Sequence, residues 1–417
     1  MNANIQNTGS GHTHNRHVAP AHSRNLNGGG KRKHKTKRTL RAPRNSNVEI
    51  LRIFAMLCIA FNHFPWPIPE IVGSGSLSQR LPMSIVLSLI SNLGGVGDCL
   101  FFFISIWYIC EESANYKRQF KRVWILEREL LFWSLLFLVC DLLSQASSFQ
   151  DIYSKKELLK HLIHGLFPAL STHWWFPTNY MLFLLIVPVL STGLRKVGEQ
   201  LHKILAIILF VLYGFVPFEF MNNLAGELHP TMNYSVWLFI YQFVLITYIR
   251  WYKPNWLKSK SLMAKFMWIG VLFGVLSQTV CVILTSVVSN TYHSLWSLWM
   301  NNPACFPSMM FALGLLALAH QKKPWRNKAI NKIASATLTV YLIFTDFFTG
   351  TIISTCTHTI PQSGMLLFLS SFALCLISFL LAILLGLIRQ ILFSVTFDRR
   401  RGYCFELLWN KISNKNK

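Results

Sequence analysis

GMLLFLSSFALCLISFLLAILLGLIRQILF, residues 364–393, carries no charged side chain before Arg389. An α-helix rises about 1.5 Å per residue and a bilayer's hydrocarbon is about 30 Å thick, so about 20 mostly apolar residues cross it. This stretch is long enough by itself. Working outward from it, comparable apolar blocks lie near 48–66, 84–110, 123–144, 174–193, 203–219, 234–251, 264–289, 304–320 and 334–355. Together they predict an all-α, polytopic membrane bundle of about ten transmembrane helices. Composition agrees: 52% of the 417 residues are hydrophobic and 13% are charged, whereas a soluble protein carries about 25% charge. The block at 84–110 contains Gly94, Gly95 and Gly97 and reads as a short re-entrant or lateral piece followed by the span proper. The blocks at 304–320 and 334–355 are interrupted by polar residues.

The net charge of +24 is unevenly placed, with ten Lys and Arg residues, Arg16 to Arg44, ahead of the first acid, Glu49. Residues 1–44 have almost no large apolar side chain and cannot bury enough surface to fold, which predicts a disordered basic tail. A basic run beside a hydrophobic segment reads as a cytoplasmic flank touching anionic membrane lipid rather than as a nucleic-acid arm. With that tail inside, alternate loops holding Lys117–Arg122, Arg195–Lys203, Arg250–Lys265 and Lys322–Lys332 are cytoplasmic as well. The opposite loops keep only Arg80, Lys155, Lys156 and Lys160. Both termini are therefore expected in the cytosol, with a membrane domain over 45–393 and a second basic tail over 394–417. The nine cysteines are scattered without a CxxC pair, which suggests neither a zinc site nor a disulfide framework.

Ionisable residues inside spans are costly and usually functional. The first span, VEILRIFAMLCIAFNHF (48–64), holds Glu49, Arg52 and His63. At 100° per residue, the 11 steps from Arg52 to His63 overshoot three turns by about 20°, and Glu49 lies about one turn before Arg52. All three share a face, with His63 about 16 Å along the axis from Arg52. Histidine titrates near neutrality and can serve as a general base towards a hydroxyl. Arginine can clamp a phosphate or carboxylate bidentately. The plainer reading pairs Arg52 with Glu49 and leaves His63 at the interface. Asp98 follows GGVG and either orients a neighbouring base or caps a helix. Arg128 stands between Glu127 and Glu129 and also reads as a structural ion pair. His173, Trp174, Trp175 and Phe176 open a span as a membrane belt or as a platform for sugars. No P-loop, GxSxG, HExxH or GxGxxG occurs, which argues against ATP-driven transport, serine hydrolysis, zinc proteolysis and dinucleotide binding.

RNSNVEILRI (44–53), in which Arg52 is followed after ten residues by His63, resembles the opening helix of membrane acyltransferase family 3. VGDCLFFFIS (96–105) resembles that family's second conserved helix. THWWFPTNYMLFLLIVPVLS (172–191) resembles the aromatic helix of its capsule and exopolysaccharide branch. FIYQFVLITYIRWY (239–252) and NKIASATLTVYLIF (331–344) resemble later helices, so the likeness spans about 44–390. The sequence departs from the pattern at Ile106, where glycine is common, at Ile125, near a usual second arginine, and at Phe344–Thr345, near a usual histidine. The resemblance implies an integral O-acyltransferase of the bacterial cytoplasmic membrane, without a bound cofactor. It would move an acyl group, most often acetyl, from cytosolic acetyl-CoA or another acyl-CoA to a hydroxyl of a surface polysaccharide or its lipid-linked precursor. His63 with Glu49 would be catalytic, His63 acting as base or as transient acyl carrier. Arg52, Arg122 and Arg128 would hold the donor. Asn62, Asp98, Trp175 and Tyr180 would bind or orient the acceptor. The competing expectation is a transporter or flippase for a glycan or glycolipid; a glycan polymerase would bring a large outer loop that the sequence lacks.

Overall fold

The computed structural model describes residues 44–112, 114–147, 155–171, 174–215, 235–288, 300–396 and 402–415. The expected basic tail before Arg44 and the aromatic-opening His173 lie outside them. Helix α1 (Ser46–His63) begins behind Asn45, whose side chain accepts from the Asn47 backbone N–H and satisfies an orphan donor of the first turn. Its start is fixed to a distant segment. The Ser46 amide donates to the Trp325 carbonyl at 2.9 Å, the Asn327 amide donates to Ser46 Oγ at 2.7 Å, and Trp325 Nε1 donates to Asn47 Oδ1 at 2.7 Å. Its far end is held by apolar packing, with Phe61 stacked on Phe372 at 5.3 Å between ring centroids.

After α1 come the short α2 (Ile68–Val72), α3 (Leu77–Ser91) and α4 (Gly94–Ile109). Helix α4 runs back along α1, because Gly94 packs on Asn62 near the end of α1 while Gly97 packs on Ala55 and Ile59. Small residues at such a crossing let two backbones approach closely, which is how membrane helices gain dispersion contact where no hydrophobic drive separates protein from lipid.

Helix α5 (Tyr116–Ser147) carries Arg122 and Arg128, and α6 (Lys155–Leu166) packs on it where Gly165 meets Leu138. Helix α7 (Trp175–Gly214) contains a break at Gly198, whose φ of 78° suits glycine. The break falls in the basic interval expected between the spans at 174–193 and 203–219. Helices α8 (Val236–Tyr252), α9 (Lys260–Val288) and α10 (Phe306–Gln321) match three further expected blocks. The block at 334–355 is divided into α11 (Lys328–Ala334), α12 (Thr337–Phe344) and α13 (Phe347–His358). The chain turns by 79° before α13. Asp346 caps that corner, its Oδ1 accepting from the Phe348 and Thr349 amides at 3.0 and 3.4 Å.

Helix α14 (Gly364–Val395) contains the uncharged apolar stretch that ends at Arg389, and α15 (Tyr403–Lys415) forms within the expected C-terminal tail. Among the described residues, four segments are long and apolar enough to cross a membrane: Leu77–Ile109, Trp175–Gly214, Lys260–Val287 and Gly364–Val395. The bent pair over 328–358 makes a fifth. The protein is an all-α membrane bundle. Only 33% of the most apolar window of α14 is buried by the rest of the protein. Exposed leucine at that density is tolerable in hydrocarbon and not in water.

Candidate active site

Helix α1 supplies both ends of the site. At its beginning Glu49, 5% exposed, accepts from Arg52 Nη1 at 2.8 Å, and Arg44 Nε lies 3.8 Å from the same carboxylate. Arg52 also stands over the Phe101 ring, with Cζ 6.0 Å from its centroid. Glu49 is therefore the partner of Arg52. It lies 14 residues from His63, about 21 Å along the helix axis, and the structure does not bring these two expected catalytic residues together.

His63 ends α1 with an accessible ring. Its contact is an edge-on approach to Tyr341 of α12, with ring centroids 6.4 Å apart. Tyr341 packs in turn on Phe176 of α7 at 6.0 Å, and Phe176 meets Phe101 at 6.0 Å. A continuous series of rings thus joins the arginine at one end of α1 to the histidine at the other. Phe102 deepens it, packing against Phe176, Tyr180, Phe183 and Phe239.

Tyr180 sits at the arginine end of this wall. Its hydroxyl meets Ser105 and lies within electrostatic reach of Arg52, Arg122 and Glu112. Arg122 is braced by Glu112 and Gln119. Trp175 packs on Phe176 and Phe239 at 5.4 and 6.4 Å.

Two more arginines, which sequence reasoning counted only as markers of topology, gather at the same end. Arg195 donates to the Cys110 carbonyl at 3.1 Å and lies over the Trp251 ring at 4.2 Å. Arg250 pairs with Glu111 at 3.7 Å and lies over Trp107 at 4.9 Å. They surround the C-terminal end of α4, where the helix dipole favours cations.

Towards the histidine end, Asn62 of α1 meets Gly94 of α4, and Asp98 lies one turn further along α4. The Oδ1 atoms of Asn62 and Asp98 are both buried without a hydrogen-bond partner among the described residues. A buried polar atom left without a partner is costly, and a bound hydroxyl is the kind of group that relieves it. The missed residue here is Tyr341, the one tyrosine of TLTVYLIF, which shares that helix with a second aromatic, Phe344.

Arg128 stands apart from both clusters. Its Cζ lies 5.3 Å from the Phe393 ring, beside the buried ion pair of Glu129 with Arg389 Nη2 at 2.8 Å. That ring contact places it in the packing of α5 on α14, where the flanking Glu129 pairs with Arg389.

The bundle, with a histidine at one end of a helix and clustered arginines at the other, defines a membrane protein equipped for group transfer. The particular kind follows from comparison with known families. Residues 45–387 match the family described as an acyltransferase domain, and the chain belongs to it: this is a membrane acyltransferase of family 3. A comparison with curated proteins and with solved structures gave no match.

Proposed function

We propose that the protein moves an acyl group, acetyl in the first instance, from cytosolic acyl-CoA to a hydroxyl of a surface polysaccharide or its lipid-linked precursor. The observation that carries this reading is the polarity of α1, with an anion-binding group at Arg52 and a base at His63 joined by the aromatic wall. About 16 Å of helix separates them. A donor with phosphates at one end and a reactive thioester at the tip of a long arm suits that separation.

In this reading Arg52 and Arg122 hold the donor's phosphates, with Glu49 fixing the Arg52 side chain. Arg195 and Arg250 add positive potential to the same mouth. Arg128, by its position in the α5–α14 packing, supports the scaffold instead. The arm lies along Tyr180, Phe176 and Tyr341. His63 accepts the proton of the acceptor hydroxyl as its oxygen attacks the thioester carbonyl. The tetrahedral intermediate then collapses, the carbon–sulfur bond breaks, and the proton passes to the departing thiolate. Asn62 and Asp98 accept hydrogen bonds from the sugar or orient the imidazole, and Trp175 contributes an aromatic face. The ten-span topology, with both termini in the cytosol of a bacterial cell, belongs to this proposal. It puts the basic loops on the side of the acyl-CoA pool.

His63→Ala tests it. Cells making the variant at normal membrane levels should lose the ester-linked acyl groups of their surface glycan, and purified protein should lose transfer from labelled acetyl-CoA. Unchanged acylation with normal insertion would remove His63 from the chemistry.

A further inference from the structure

A cavity of about 340 Å³ opens between α5, α6 and the corner before α13. It lies outside the aromatic wall but at the same end of the bundle as His63. Helices α11 and α12 together run in the direction of α1, since Asn327, just before α11, holds the start of α1 while Tyr341 of α12 meets His63 at its other end. The cavity begins five residues beyond Tyr341, at Asp346. Nothing in the donor chemistry above uses it.

Its lining is unlike a lipid-facing crevice. The carboxylates of Asp141, Glu157 and Asp346 border it, with the imidazole of His161 and the rings of Phe347 and Phe348. His161 Nδ1 stands 3.6 Å from Asp141 Oδ2. Phe347, the first residue of α13, is 72% exposed at the edge of the cavity. It directly follows the Asp346 cap, at the corner where the chain turns by 79°.

Carboxylates and imidazoles set beside an exposed aromatic ring suit a sugar. Vicinal hydroxyls donate to the carboxylates, and the C–H face of the ring packs on phenylalanine. The sign of the charge narrows the class. Among the described lining residues three carboxylates stand beside one ammonium, Lys160, and two imidazoles, His161 and His164, a balance that disfavours a uronic acid or other anionic sugar at short range.

We propose that this cavity is a binding subsite for a neutral sugar residue of the acceptor, next to the residue that receives the acyl group. The proposal rests on the reading of the protein as a glycan acyltransferase, and it assigns that reading's acceptor a place and a charge.

The test uses the full-length protein in lipid nanodiscs. The probes are neutral and acidic oligosaccharides, separated by anion exchange from the de-esterified surface glycan of the producing cells. Phe347→Ala and Asp141→Asn should each weaken equilibrium binding of the neutral oligosaccharide about tenfold, the scale of one lost hydrogen bond or ring contact. In transfer assays they should raise the acceptor KM by a similar factor, leaving the KM for acetyl-CoA and the rate at saturating acceptor near wild type. The acidic fraction should bind more weakly than the neutral one to wild type and gain on Asp141→Asn.

Neutral-oligosaccharide binding that is absent, or unchanged in both variants, would overturn the subsite. So would tighter binding of the acidic fraction to wild type. A wild-type protein that binds the neutral sugar in this pattern yet transfers no acyl group refutes the catalytic reading while leaving the subsite standing.

Discussion

Gly97→Ala probes the contact on which the site is built. A Cβ at residue 97 would stand 2.5 Å from the Ala55 carbonyl oxygen and 2.7 Å from Ile59 Cγ1, where ordinary contact begins at 3.4 Å. The difference between 3.4 and 2.5 Å requires α1 and α4 to part by about 0.9 Å. A helix carbonyl cannot rotate aside as a flexible side chain can, so the backbones themselves must move. Overpacking of this kind costs about 1–3 kcal/mol. The displacement also reaches the chemistry, since His63 and Arg52 ride on α1 while Asp98 and Phe101 ride on α4. A misplacement of about 1 Å costs about a hundredfold in rate. Melting temperature in detergent and transfer from labelled acetyl-CoA in membranes should both fall, the second by ten- to a hundredfold. Gly350→Ala is the control, because a Cβ there meets nothing within 4 Å. It should stabilise α13 by about 0.5–1 kcal/mol through helix propensity. A Gly97→Ala protein with wild-type rate and melting temperature would refute the close α1–α4 contact.

Two further predictions concern the scaffold. Arg389→Met removes the cation 2.8 Å from Glu129, in a pair whose side chains are each 8% exposed. The loss should be about 3 kcal/mol, read as a lower melting temperature, and Glu129→Gln together with Arg389→Gln should recover most of it. Glu406 of α15 bridges Lys121 and Lys117 at 2.8 and 2.9 Å, and those hydrogen bonds hold its carboxyl below the ordinary value. A group with a lowered folded-state value contributes its stabilisation above the unfolded value, about 4.3, and loses it as pH falls through the lowered one. Labelling of Cys404 by a soluble maleimide, corrected for the intrinsic pH dependence of the thiol, should therefore report a constant docking of α15 from pH 6 to 8. Glu406→Gln should raise the labelling rate throughout that range.

Several features were legible in the sequence because they depend on local composition. The apolar blocks at 234–251, 264–289 and 304–320 became α8, α9 and α10 with boundaries within a few residues. The Glu49–Arg52 pair followed from helical spacing and appears at 2.8 Å. Other features depend on what lies opposite in space, which periodicity does not encode. Arg122 and Arg128 look alike in KRVWILERE, yet the first joins the mouth beside Glu112 and the second packs on Phe393 of α14. Tyr341 reads as one more aromatic until α12 is set beside α1. The corner at Asp346 divides the block at 334–355, whose polar interruptions are visible in the sequence while the 79° turn between its helices is not.

The division of labour among the helices follows from the same physics. The most apolar windows of α9 and α14 are only 22% and 33% buried within the protein. Their leucines and isoleucines face outward, where hydrocarbon solvates them without cost. The helices carrying the candidate site differ. α1, α4 and α8 are 18, 16 and 17 residues long. That gives about 24–27 Å of helix, slightly less than the hydrocarbon thickness. Their faces hold Glu49, Arg52, Asp98 and Arg250, which lipid would not tolerate but a protein interior with paired charges and ring faces can. Short helices also bring their polar ends to depths that water and soluble donors reach from either side. Long apolar helices therefore shield the centre, and in the proposed reading the shorter ones bring a cytosolic donor and an acceptor hydroxyl within the length of a single helix. In that reading the Arg52–His63 spacing measures the gap, and it closes on a thioester only if α1 and α4 stay at the contact distance set by Gly97.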